Sequence, residues 1–103
     1  MDVKITQGGM SFEWDSEKEK INIKKHNVPF SAAIKVFFDE NRVEYYDKAH
    51  SDDEDRYVTI GLVNDVAVVM ISAVVYTERG ESIRIISARA ATKTEKEMYF
   101  YDN

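Results

Sequence analysis

The spacing of apolar positions divides the chain into segments of different period. Phe12 and Trp14 alternate with Ser11 and Glu13, which predicts a short strand. In the DSEKEKINIKKHN run that follows, Ser16 and Glu19 stand at capping-box spacing, so a charged surface helix is expected from about Glu17 to Lys25. Ile21 and Ile23 are its only aliphatic residues, and it should lie shallowly on the core. Asn27 suits a left-handed C-terminal position and Pro29 blocks continuation. Phe30, Ala33, Ile34, Phe37 and Phe38 then fall at helical spacing, predicting a second helix over 30–38 whose stripe is core.

From Arg42 the period drops to two. Val43 and Tyr45 share one face of a strand, KAHSDDED reads as an acidic loop, and RYVTIGLV, VAVVMISAVVY and SIRIISAR read as three consecutive antiparallel strands. Turns are expected at Asn64-Asp65 and at ERGE. The middle strand of the three is apolar on both faces and needs cover on both, one side of it from the N-terminal helices. Thr92 and Glu95 again have capping-box spacing and open a closing helix, in which Met98 and Tyr101 can pack inward. The expected fold is α+β: two N-terminal helices, a curved antiparallel sheet of about four strands, and a C-terminal helix. Residues 1–10, with their Gly-Gly pair, are expected to form a flexible arm ahead of a single domain over 11–103.

Composition narrows the class. A chain of 103 residues makes one modest core. It has no cysteine, hence neither disulfide framework nor thiolate metal site, and no signal-like or membrane-length apolar run, so a cytoplasmic soluble protein is expected. The net charge of -5 argues against non-specific coating of nucleic acid and leaves room for a local basic groove.

The conspicuous chemistry is the pair Arg84 and Arg89 in an otherwise apolar strand. Strict alternation puts them on opposite faces unless a bulge intervenes. Arg89 adjoins a helix N-terminus, where amides and dipole favour an anion such as phosphate. Composition by itself favours the plainer outcome, pairing with acids such as Glu54 or Glu13. His26, beside Lys24 and Lys25, is either a proton-transfer group in an anion-binding cleft or a helix-end histidine. His50, ahead of Asp52, Asp53, Glu54 and Asp55, reads as part of a solvated loop more readily than as a metal ligand. Arg56 starts its strand and Arg79 sits in a turn. Tyr99, Phe100 and Tyr101 are either stacking platforms for bases or core anchors.

Taken together, FEWD at 12–15, NIKKHNVPF at 22–30, EDRYVTIG at 54–61, YTERG at 76–80 and RIISARAATKTEKEMY at 84–99 resemble, in order and spacing, the BrnT toxins of bacterial type II toxin-antitoxin systems. The resemblance implies a RelE-like ribonuclease fold without cofactor or metal, acting on RNA by attack of the 2′-hydroxyl and so arresting translation and growth. It also implies a BrnA-type antitoxin with a ribbon-helix-helix domain, a heterotetrameric complex, contact with operator DNA only through that antitoxin, and no membrane association. On this basis Lys25, His26, Glu54, Arg56, Arg84 and Arg89 are the expected catalytic set. His26 is the first choice for proton transfer, Glu54 an orienter or second base, and the three arginines the phosphate clamp. Lys24, Arg79, Lys93 and Tyr99 are the expected substrate contacts. Two positions depart from the family pattern: Asn27 replaces a usual glycine, and Ala90 stands where lysine is common, which removes a phosphate contact. The competing expectation is a non-catalytic partner that binds antitoxin and assists autoregulation of its operon.

Overall fold

Strands β1 (Asp2–Gln7), β2 (Met10–Asp15), β3 (Val43–Tyr46), β4 (Tyr57–Asn64), β5 (Val69–Arg79) and β6 (Ser82–Ala90) form one sheet in the computed structural model, which describes residues 1–101. Their order is β1-β2-β6-β5-β4-β3. Helices α1 (Ser16–His26), α2 (Phe30–Ala33) and α3 (Lys93–Tyr101) are joined to it, and a 3-10 helix, Ile34–Phe38, continues α2. The α+β class is as expected, but the sheet is six-stranded and mixed, with β2 running parallel to β6. No helix among the described residues is long and apolar enough to cross a membrane.

The additional strands come from the amino-terminal stretch. Residues expected to be a flexible arm form β1, which pairs with β2 across a turn at Gly8 and Gly9, whose φ angles are 58° and 80°. Such angles cost glycine little and other residues a good deal. Val3 and Ile5 point one way and pack against the core, so this hairpin has an apolar face of its own.

The N-terminal helices also differ in detail from expectation. Asp15, not Ser16, caps α1, accepting from the Glu17 amide at 2.8 Å. Glu19 is thereby released from a capping role and accepts from Trp14 Nε1 at 3.2 Å and from the Phe30 amide at 2.7 Å. Ile21 and Ile23 are exposed, and the residue α1 buries is Asn22. Asn27, at φ 59°, ends the helix as its side chain allows. Over 30–38 only the first turn is α-helical. The tighter 3-10 winding then sets Phe37 three residues above Ile34, buries both, and leaves Phe38 exposed.

Two apolar clusters hold the layers together. Phe12 and Trp14 of β2, Val74 and Tyr76 of β5, and Ile85 and Ala88 of β6 meet Val28, Phe30, Ile34 and Phe37 on the face covered by the N-terminal helices. On the opposite face Val58, Ile60, Ala73 and Ala91 meet Val43, Tyr45, Val75 and Tyr99 of α3. Strand β5 is therefore covered on both sides, as its doubly apolar sequence requires.

The register of β6 changes partway along. Arg84 is opposite Thr77, Ser87 opposite Val75 and Arg89 opposite Ala73, with a bulge between. Alternation along β5 puts Thr77, Val75 and Ala73 on one face, so the extra residue brings Arg84, Ser87 and Arg89 to the α3 side together.

Asn22 completes the other edge of β6. Strand β2 pairs with β6 only at Ser82, Ile83 and Arg84, and farther along the amide of Asn22 substitutes for a strand. It accepts from the Ala88 N–H at 3.1 Å and donates to the carbonyls of Ala88 at 2.9 Å and Val28 at 3.0 Å. Asn22→Ala leaves these buried backbone groups unsatisfied and is expected to lower stability by about 3 kcal/mol, read as a shift in the urea midpoint with unchanged slope.

Candidate functional site

The loop between β3 and β4 closes on itself and brings a histidine to an arginine. The Asp47 amide donates to the Arg56 carbonyl at 2.9 Å, and Ser51 bridges the same two residues. Its hydroxyl donates to the Asp47 carbonyl at 2.6 Å and accepts from the Arg56 amide at 3.0 Å. Within the loop, residues Lys48–His50 make one 3-10 turn. Thr77 of β5 donates to the Asp55 carbonyl at 2.6 Å, and Tyr46 donates to the Asp55 carboxylate at 2.9 Å, which ties the loop to the sheet. Ser51→Ala removes both of its bonds. Exchange of the Arg56 amide should then accelerate by about tenfold, as loss of one hydrogen bond's net worth predicts.

This loop overhangs a groove of about 340 Å3 lined by Tyr45, Asp47, His50, Arg56, Val58, Val75, Ile86, Ser87 and Arg89. The groove lies on the α3 face of the sheet, where the bulge in β6 presents Ser87 and Arg89. A second recess, lined by Lys18, Ile21, Asn22, Lys25, His26, Ile86 and Ser87, adjoins it across the bulge. Lys25 and His26 are therefore neighbours of the groove, separated from Arg56 and Arg89 by the Ile86–Ser87 ridge that both recesses share.

The arginines differ sharply in how they are held. Arg89 meets Glu95 through two hydrogen bonds, 2.6 Å and 3.0 Å, and Glu95 also accepts from the Tyr45 hydroxyl at 2.6 Å and the Thr92 amide at 2.8 Å. Burial pushes the Glu95 carboxyl up, but the bonds from Arg89, Thr92 and Tyr45 and the charge of Arg89 outweigh it and hold the group at about 2. Desolvation and the hydrogen bond to Glu95 raise Tyr45 above its ordinary value. The capping box read from Thr92 and Glu95 is present, and its glutamate has the second task of anchoring an arginine.

Arg84 pairs with Glu13 at 2.7 Å and Asp2 at 3.2 Å, an arrangement that ties β6 to the amino-terminal hairpin and leaves Arg84 off the groove lining. The hydrogen bond to Asp2 raises Arg84 further above its ordinary value. Pairing with Glu13 is one of the plain outcomes anticipated from composition.

Arg56 is the least committed of the three. Its guanidinium meets only Glu54, at 3.8 Å, and its Nε is buried without a hydrogen-bond partner among the described residues. Glu54 stands between Arg56 and Arg79, which it meets at 3.5 Å. The remaining expected contacts are dispersed. Lys24 is exposed in the last turn of α1 and Lys93 at the first residue of α3. Tyr99 donates to Asp39 at 2.6 Å, packs with the α3-side cluster and does not line the groove.

The sequence reading assigns His50 to a solvated loop and gives its neighbours Asp47 and Tyr45 no site role. Its Nδ1 lies 3.0 Å and 3.1 Å from the two carboxylate oxygens of Asp47. The only hint in the sequence is the three-residue spacing of Asp47 and His50, which acquires meaning once Ser51 closes the loop. Asp52, Asp53 and Glu54 flank His50 in a recess but form no metal-ligating group among the described residues.

A family model described as ribonuclease toxin, BrnT, of type II toxin-antitoxin system matches residues 14–95, from the end of β2 to the first turn of α3. No curated protein matches the chain.

Proposed function

The chain belongs to the BrnT family of ribonuclease toxins of type II toxin-antitoxin systems, and from that premise we propose that the groove beneath the β3–β4 loop is where it cleaves RNA. Membership of a type II system implies an antitoxin partner. The observation that carries the assignment is Arg56, a cation in the wall of a groove with its Nε unpartnered and only a long approach to a carboxylate. The Arg56 side chain is one-third exposed and its one ion pair is long, so its terminal N–H donors are open to a phosphodiester oxygen.

In this reading Arg56 and the outward edge of Arg89 hold the scissile phosphate. Arg89 uses its bonds to Glu95 to fix the plane of its guanidinium, and five N–H donors leave it more than the pairing consumes. The adjacent 2′-hydroxyl attacks phosphorus, and the two cations stabilise the charge that develops on the phosphoryl oxygens. The reaction forms a 2′,3′-cyclic phosphate and a 5′-hydroxyl, using positioned charges without a metal ion. Lys25 and His26, across the Ile86–Ser87 ridge, contact the strand as it leaves the groove, with Lys24 beyond them. Glu54 orients Arg56, and Arg79 extends the cationic side of the loop. Lys93 and Tyr99 remain proposed as outer contacts, and Arg84 braces the sheet.

We further propose a RelE-like relation for the fold and a single toxin domain that includes the β1–β2 hairpin. The antitoxin is of BrnA type with a ribbon-helix-helix domain, forms a heterotetramer with the toxin, and supplies all contact with operator DNA. A segment of it covers the groove, which blocks RNA and satisfies Arg56 at once. The protein acts in the cytoplasm. Induced expression of the full chain is the cellular test: translation and colony growth stop with the wild type and continue with Arg56→Ala. Unimpaired growth on expression of folded wild-type protein would sink this reading.

A further inference from the structure

An ionised carboxylate only accepts hydrogen bonds, so the His50 Nδ1 that faces both oxygens of Asp47 carries the proton. Its Nε2, on the opposite side of the ring, then holds a lone pair. Asp47 is well placed to fix that tautomer because its own carboxylate is mostly covered, 17% exposed, whereas the His50 side chain is 69% exposed and accessible to a ligand. His50 and Arg56 line the same groove, and Ser51 sets the distance between their backbones through its two bonds. A base with an oriented ring, a carboxylate behind it and an uncommitted cation beside it is the arrangement that proton abstraction next to a phosphate requires.

We infer that His50, oriented by Asp47, is the catalytic residue that removes the proton from the attacking 2′-hydroxyl, in place of His26. The inference rests on the ribonuclease reading above and assigns a residue to it. In the step, the 2′-oxygen gives its proton to His50 Nε2 and forms a bond to phosphorus. The bond from phosphorus to the 5′-oxygen breaks, and that oxygen takes a proton from water. The imidazolium then returns its proton to solvent. Asp47 is a positioning residue, since it touches the ring and not the RNA. His26, across the Ile86–Ser87 ridge, has no carboxylate holding its ring among the described residues and lies outside the groove that contains Arg56.

Charged and titratable groups surround His50. Asp47 faces it from its own turn, Arg56, Glu54, Asp52 and Asp53 from the loop, Tyr45 from β3 and Arg89 from β6.

The experiment follows cleavage of a defined single-stranded RNA by the full chain across pH, comparing wild type, His50→Ala, Asp47→Asn and His26→Ala. His50→Ala should lower the rate by about 100- to 10,000-fold and regain activity with added imidazole. Asp47→Asn presents an amide that can donate to Nδ1 and so favours the tautomer with its proton on Nε2; it should lower kcat with KM little changed, a split that a purely structural role would not cause. Added imidazole should not restore whatever activity His26→Ala loses. Cleavage by the wild type with an unchanged rate in His50→Ala would overturn the inference and leave the ribonuclease reading standing. No cleavage by folded wild-type protein would overturn both.

Discussion

Arg56→Ala should cleave single-stranded RNA about 100- to 1,000-fold more slowly than the wild-type chain, the loss expected when one preorganised donor to a developing oxyanion is removed. The effect should fall on kcat more than on KM, because the charge this side chain answers grows as the reaction proceeds. Arg56 is well suited to produce such a loss. Its neighbour Arg89 is neutralised by Glu95, whereas among the described residues Arg56 pairs only with the distant Glu54. Arg56→Lys keeps the charge but not the planar fork, and should recover only part of the rate. Stability should change little in either variant, since the salt bridge lost is 3.8 Å long and partly exposed, and exposed pairs contribute little. Equal rates for Arg56→Ala and wild type would remove this residue from the site.

Glu95→Ala should have the largest effect on folding, a loss of about 3–5 kcal/mol, the usual cost of removing one partner of a substantially buried pair. The carboxylate accepts from Arg89, Tyr45 and the Thr92 amide, so one truncation frees an arginine on β6, a tyrosine on β3 and the first turn of α3. That loss is a large fraction of the total stability of a small domain. The same group gives the protein an acid-sensitive component. Its folded-state value of about 2 lies below the ordinary 4.5, so its contribution is fully present above about pH 5 and is lost as pH falls toward 2. The gap corresponds to about 3 kcal/mol. Urea titrations from pH 7 to pH 3 should show the wild type weakening across this window and Glu95→Gln weakening distinctly less. Parallel pH profiles for the two would show that Glu95 is not the acid-sensitive group.

The parts of the fold legible in the sequence were those governed by local pattern. The doubly apolar β5 segment called for two covered faces and has them, and the spacing of Thr92 and Glu95 gave the start of α3. Asn27 ended α1 because it tolerates the left-handed region. What escaped depends on contacts distant in sequence. Val3 and Ile5 alternate with polar residues, but over too few positions to outweigh the Gly-Gly pair, and β1 is recognisable only once β2 offers an edge. Asn22 is indistinguishable from a surface asparagine until the uncovered edge of β6 meets it. The same holds at the groove. Alternation alone separated Arg84 from Arg89, and a single extra residue near Ile86 reversed the result without leaving a glycine or proline to mark it. His50 sat in a run of acids that resembled an ordinary solvated loop, whereas the hydroxyl of Ser51 makes that loop a fixed scaffold.

The central claim is that this groove cleaves RNA with its own side chains. Its most direct test is incubation of purified, antitoxin-free full chain with a defined single-stranded RNA in EDTA, beside Arg56→Ala, with the product ends identified. The account predicts 2′,3′-cyclic phosphate and 5′-hydroxyl ends from the wild type and their near absence with the variant. Intact RNA from folded wild-type protein, with or without ribosomes, would contradict it and identify the cations of the groove as a docking surface for the antitoxin.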